Sequence, residues 1–202
     1  MIVDLKRDIV RFKVTLKHVK PIVWRRIEVP ATYTFWDLHV AIQDAMGWFD
    51  CHLHAFQVRN ARGKMDDIGI PDDDAFEGEP MFLPAWKVRV TDYFAQVGAR
   101  ATYEYDFGDG WVHELRVESI GPRVPKVKYP RCVAGARRCP PEDCGGPYGY
   151  AELIATIADP GHEEYASMLA WLGGPIDPGA FDPSSVRFDN PAARWKVAFA
   201  DG

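Results

Sequence analysis

Two alternating runs that face each other across a single turn constrain this chain more than any other feature. Tyr103, Tyr105 and Phe107 alternate with Thr102, Glu104 and Asp106. After Gly108-Asp109-Gly110, the residues Trp111, His113, Leu115 and Val117 alternate with Val112, Glu114 and Arg116. Period-two alternation on both sides of a Gly-Asp-Gly turn describes a β-hairpin with one buried face. A two-residue Asp-Gly turn would set Asp106 opposite His113, an acid–imidazole pair, but it would also set Tyr105 against Glu114 and mix both faces. A three-residue loop with Gly110 left-handed pairs Phe107 with Trp111 and Tyr105 with His113, and leaves one face wholly apolar and aromatic. Burying that face outweighs one side-chain pair, so the three-residue loop is expected, without an Asp106–His113 contact.

The remaining patterns extend this hairpin into a sheet. Val10, Phe12, Val14 and Leu16 share one strand face; Pro21 breaks that strand, and 22–29 reads as its antiparallel partner. Thr34 and Asp37 form a capping-box pair ahead of Phe35, Leu38, Ile42 and Ala45, with Gly47 as the stop. Residues 52–59 return to extended spacing. The seven carboxylates at Asp66, Asp67, Asp72, Asp73, Asp74, Glu77 and Glu79 lie among Gly and Pro and predict a solvated loop. From 121 to 149 no periodicity survives, which predicts a long irregular segment. Two helices follow, one ending at Pro160 and one at Gly173-Gly174-Pro175, and Asp182-Pro183 and Asn190-Pro191 each predict a short capped helix. The expected architecture is α+β: a single domain over 1–202 with a mixed, mostly antiparallel sheet, helices on one face and a helical C-terminal part.

Composition excludes several classes. With 202 residues, 47% apolar and 26% charged, the chain is neither disordered, collagenous nor a coiled coil. No apolar run reaches the roughly 20 residues of a membrane helix, so no membrane partner is expected. The start, Met1 to Asp8, alternates charges and lacks a signal-peptide pattern, and four cysteines are too few for a disulfide scaffold. Reduced thiols and a cytoplasmic location are the expectation.

Several groups could carry chemistry. Cys132, Cys139 and Cys144 crowd into the irregular segment with C-x6-C-x4-C spacing, unlike the paired C-x2-C of zinc ribbons. Zinc would need a fourth ligand from His162, His113, His52 or His54. His52 and His54, on one strand face about 6–7 Å apart, suit one ion. The alternative is three small thiols packed beneath prolines. A nucleophilic Cys144 would be opposed by Glu142 and Asp143 beside it. Arg123, Lys126, Lys128, Arg131, Arg137 and Arg138 form a run without acidic residues, with Tyr129 interleaved, on a chain whose net charge is −5. Such a patch suits nucleic acid or an acidic protein; the bland reading is a solvated loop paired with the acidic region. His39 and His113 read as core histidines, and His113-Glu-Leu-Arg116 carries no weight as a recombinase signature.

Four strings in this order, Pro21-Ile-Val-Trp-Arg-Arg-Ile27, Met46-Gly-Trp48 with His52-Leu-His-Ala-Phe56, Tyr105-Asp-Phe-Gly-Asp-Gly-Trp-Val-His113 and Cys139-Pro-Pro-Glu-Asp-Cys-Gly-Gly146, resemble the plasmid pRiA4b ORF-3-like family. The resemblance runs from about Val10 to Phe181. It implies a small α+β domain of bacterial and archaeal proteins without an established activity. Some relatives carry a resolvase-like or transposon-passenger label, and some are joined to DNA-binding domains. The family strings map onto His54, Asp106, Asp109, His113, Glu142 and Asp143 as a candidate shared site, together with Cys132 and Cys144; Cys51 lies outside them. Serine recombinase chemistry is not expected, because the serines are Ser119, Ser167, Ser184 and Ser185 and none lies in the first hundred residues.

Three functions remain open. The first is a non-enzymatic binding or accessory domain, associated with mobile elements by resemblance only, presenting the basic 123–146 segment with or without a zinc ion. The second is a metal-dependent hydrolase of a phosphoester or nucleic acid, drawing on His52, His54, Asp106, Asp109 and His113. The third is a purely structural domain in which Asp109-Gly110 turns, Pro140-Pro141 stiffens and Gly145-Gly146 permits close backbone approach.

Overall fold

A computed structural model describes residues 3–71 and 82–199. Alternation places the strands. Strand β1 (Asp8–Leu16) buries Val10, Phe12, Val14 and Leu16 and pairs antiparallel with β2 (Trp24–Pro30), Phe12 opposite Ile27. Helix α1 (Phe35–Met46) begins at the expected capping box, where the Thr34 hydroxyl accepts from the Asp37 N–H, and ends at Gly47. Strand β3 (His54–Arg59) pairs with β4 (Met65–Gly69), and the short β5 (Leu83–Pro84) runs parallel to β4. The hairpin is β6 (Arg100–Tyr105) and β7 (Trp111–Pro122), and β8 (Arg131–Ala136) lies beside β2. The result is one sheet in the order β5-β4-β3-β6-β7-β1-β2-β8, antiparallel except at β4–β5. Helices α2 (Gly146–Ala158), α3 (Tyr165–Trp171) and α4 (Pro191–Ala198) follow, with a 3-10 turn at Pro183–Ser185. Asp182 and Asn190 cap the last two elements as their Pro contexts predict. This is the expected α+β architecture.

The core lies between α1 and the buried sheet face. Phe35 meets Phe56 edge-on at 5.0 Å, and Phe12 meets Phe94 at 4.9 Å. Tyr103, Tyr105, Trp111, His113 and Leu115 are fully buried, as the alternation requires.

The hairpin register differs from expectation by two residues. Tyr105 pairs with Trp111 and Tyr103 with His113, so the loop is Asp106–Gly110 and not the last three of those residues. The faces are unchanged, because the shift is by two. The cause is Asp106, which adopts a left-handed φ of 56° and whose carboxylate accepts from the Gly108 and Asp109 N–H groups at 3.0 and 3.3 Å. Phe107 thereby leaves the buried face and is half exposed. Gly110 is left-handed as expected.

The segment 121–149 is not one irregular loop. β7 continues to Pro122 and β8 occupies 131–136, leaving 123–130 and 137–145 irregular. β8 escapes detection because all six of its residues are half-buried, so no alternation marks it. The acidic stretch also begins in a strand: Asp66 and Asp67 lie on β4, where Asp66 accepts from the Tyr93 hydroxyl at 2.7 Å. Its remainder, Asp72 to Glu79, lies outside the described residues.

Candidate functional site

Three chain segments converge beyond the end of β6. The Asp106–Gly110 loop is drawn to the segment preceding β3 by the Asp106 N–H, which donates to the Leu53 carbonyl at 2.9 Å. The Cys51 N–H donates to the Tyr105 hydroxyl at 3.0 Å, and that hydroxyl donates in turn to Glu142. Glu142 also accepts from the Phe49 N–H at 2.7 Å, and the Trp48 indole donates to the Pro140 carbonyl at 2.9 Å. Burial and the Glu142 acceptor push the Tyr105 phenol far up, so it is a permanent donor. These bonds hold segment 140–143 against segment 48–53. Gly146, opening α2, packs so tightly that a Cβ would come within 2.2 Å of the Asp109 carbonyl oxygen. Gly145-Gly146 therefore provides the close backbone approach expected of it.

His52, Asp106 and Asp143 meet at the junction. The His52 Nε2 lies 3.1 Å from Asp143 Oδ1 and 3.6 Å from Asp106 Oδ2. Among the described residues this is the one group of three or more His, Cys, Asp or Glu with donor atoms mutually within 4.8 Å. Asp106 is buried, His52 half-buried and Asp143 exposed.

The other candidates are distributed differently. Asp109 sits in the same loop with one carboxylate oxygen buried and unpartnered. Glu142 is committed to the clamp described above. His54 and His113 lie in the core. His54 stacks on His39 with ring centroids 3.5 Å apart, and His113 approaches the Tyr103 carbonyl at 3.4 Å. Burial drives the His54 imidazole well below its usual value, helped by His39, and lowers His113 to about 4, so both are neutral. The ligand set drawn for a hydrolase is thus split, with His52 and Asp106 together and His54 and His113 inside. His52 and His54 do not share an ion-facing surface, because β3 begins only at His54. His39 bonds Tyr103 at 2.8 Å and Asp50 at 2.7 Å, a satisfied core histidine as read.

Cys132, Cys139 and Cys144 do not gather with one another or with a histidine within the 4.8 Å that one ion requires. Burial raises all three thiols, Cys144 to about 12 with Asp109 adding to the effect, which is the reverse of a nucleophile's setting. His162 is exposed between α2 and α3 and accepts from the Glu164 N–H at 3.1 Å.

The basic run divides. Arg131 is consumed by Glu28 at 2.6 Å, which Arg11 also binds at 2.9 Å, stitching β1, β2 and β8 together. Tyr129 lies between the Arg123 and Arg131 guanidinium groups, 5.9 and 5.5 Å from its ring. Arg123, Lys126, Lys128, Arg137 and Arg138 form no ion pair among the described residues.

A groove of about 930 Å³ runs from the end of α1 along 138–143 to the 171–187 segment, and Arg25, Arg138, Phe49, Asp143, Trp171 and Phe181 are among the residues along it. A second cleft of about 400 Å³ is lined by Asp143, Cys144 and residues of α2 and α3.

The segments that build the junction are three of the four strings singled out in the sequence, and the match to known proteins spans them all. The family described as plasmid pRiA4b ORF-3-like protein matches residues 8–185. The chain belongs to this family. It is 39% identical over 196 residues to the uncharacterized protein y4hQ of Sinorhizobium fredii (strain NBRC 101917 / NGR234), covering 93% of this chain and 94% of that protein. It is similar to the crystal structure of a protein of unknown function, MM3350 from Methanosarcina mazei Go1, with a TM-score of 0.81 and 43% identity over 90% of this chain and 99% of that one. Neither name assigns an activity to these pRiA4b ORF-3-like relatives. No helix among the described residues is long and apolar enough to cross a membrane.

Proposed function

We propose that the chain is a binding domain and not an enzyme, that 1–202 acts as one unit, and that its ligand is a single-stranded nucleic acid held in the 930 Å³ groove. The observation that carries this reading is a pair of exposed aromatic side chains, Phe49 and Trp171, along the same groove as an unpaired arginine, Arg138. Of the groove's four carboxylates, Asp44 pairs with Arg194, Glu142 accepts from Tyr105 and Phe49, Asp182 accepts from Ser184, and Asp143 stands exposed at one end. Arg138 has no ion-pair partner among the described residues, whereas Arg25 is buried and donates to the Ala45 and Ala136 carbonyls, and Arg187 donates to the Ser184 carbonyl. Phe49 is 83% exposed and Trp171 52%, and both line the groove, which suits stacking by bases. The volume lies within the range of ligand sites, about 300–1,000 Å³. Four unpaired cysteines fit a reducing, cytoplasmic setting.

The test is fluorescence anisotropy with a labelled 12-nucleotide oligo(dT). Two or three phosphate contacts predict an affinity about tenfold lower at 200 mM than at 50 mM salt. The Arg137→Ala/Arg138→Ala variant is expected to weaken binding and flatten that dependence, and Trp171→Ala to weaken it with the slope intact. Salt-insensitive or absent binding would sink the nucleic-acid reading and leave a protein partner.

A further inference from the structure

We propose that His52, Asp106 and Asp143 form a binding site for one divalent first-row transition-metal ion of the zinc or manganese kind. Donors bonded at about 2.1 Å to one ion lie about 3.0–3.4 Å apart along octahedral or tetrahedral edges. The His52 Nε2 is 3.1 Å from one carboxylate and 3.6 Å from the other, near those edge lengths.

A second observation is independent of the spacing. The His52 Nε2 is hidden from solvent and makes no aligned hydrogen bond with either carboxylate, close as both are. An imidazole N–H paired with a carboxylate points along the line between them. The three donor atoms all lie within 4.8 Å of one another, close enough for one ion to touch all three.

The presentation of each group agrees. Asp106 turns Oδ1 to two backbone N–H groups and leaves Oδ2 toward His52, the outer-shell support that orients a ligating carboxylate. Asp106 and Asp143 both hold a left-handed backbone, φ 56° and 57°. The Tyr105–Glu142–Phe49 clamp fixes the three segments before any ion arrives. One imidazole with two carboxylates suits zinc, manganese or ferrous ions better than calcium, whose ligands are oxygens. Three protein donors leave coordination positions for water or an exogenous ligand, and Asp143 lies along both the groove and the second cleft. Its donors do not include the thiols of Cys132, Cys139 or Cys144, although Cys144 follows Asp143 in the chain and lines the second cleft with it.

The experiment is calorimetric titration of the untagged full chain, first dialysed against chelator, with ZnCl2 and separately with MnCl2. One ion per chain is expected for at least one of the two. His52→Ala and Asp143→Asn should each weaken binding at least tenfold, whereas Cys132→Ser/Cys144→Ser leaves it unchanged. The Asp143 side chain is 72% exposed, so Asp143→Asn should melt like wild type without metal and decides the matter even where His52→Ala fails to fold. No binding of either ion, or wild-type affinity retained in Asp143→Asn, or loss confined to the cysteine variant, would overturn the proposal.

Discussion

His113 is the residue whose burial has the clearest thermodynamic consequence. It is fully buried on the aromatic strand face, and its folded-state value near 4 lies below the ordinary 6.5. As pH falls through 6.5 the unfolded chain takes up a proton on this imidazole and the folded chain does not. Stability is therefore fully present above about 6.5 and is lost as pH falls toward 4. That gap corresponds to roughly 3 kcal/mol for this side chain, and His54, also lowered by burial, acts in the same direction. Urea denaturation at pH 7 and pH 4 is expected to show a smaller loss for His113→Phe than for wild type, by on the order of 2–3 kcal/mol. Equal losses would mean that the imidazole is solvated or already protonated. The alternation identified His113 as a core residue and dismissed its pairing with Asp106, because position on a strand decides the face a side chain takes. It set His52 on one strand face with His54, whereas His52 precedes β3 and its partners come from two other segments.

The 106–110 loop and the start of α2 show how one element positions another. Gly110 and Gly146 both hold positive φ, 65° and 67°, but nothing lies within 4 Å of a Cβ at Gly110, whereas at Gly146 it would sit 2.2 Å from the Asp109 carbonyl oxygen. Gly110→Ala should cost only the left-handed penalty, about 1 kcal/mol. Gly146→Ala adds a backbone clash that must push α2 off the loop, for about 2–4 kcal/mol in total. Chemical denaturation of both variants checks this, and equal costs would mean that the contact yields freely. Elements with a local signature, the capped α1, the alternating β1 and β7 and the Pro-led caps at Asp182 and Asn190, are legible in the sequence. β8 is not: an edge strand half-buried throughout has no periodicity to read.

At the scale of the molecule, α4 lies beyond the stretch matched by the family yet closes the structure over α1. Trp195 meets Trp36 edge-on at 5.1 Å, and Arg194 binds Asp44 at 2.9 Å, Asp50 at 3.2 Å and Asp189 at 2.5 Å. The Asp44 and Asp50 side chains are only 6% and 8% exposed, so Arg194→Ala leaves two nearly buried carboxylates without their cation. A loss of about 3 kcal/mol in urea denaturation at pH 7 is expected; a loss below about 1 kcal/mol would mark a surface pair. Nothing in the sequence links Arg194 to residues 150 and 144 positions earlier. The chain alone determined the α+β class, the faces of its strands and the ends of most helices, because period, caps and turns are local properties. Tertiary structure decided that β1 lies between β2 and β7, that β8 joins β2, and that His52, Asp106 and Asp143 meet. Alternation says which side of a strand is buried but not which strand lies next to it, and a site built from three distant segments exists only once those neighbours are chosen.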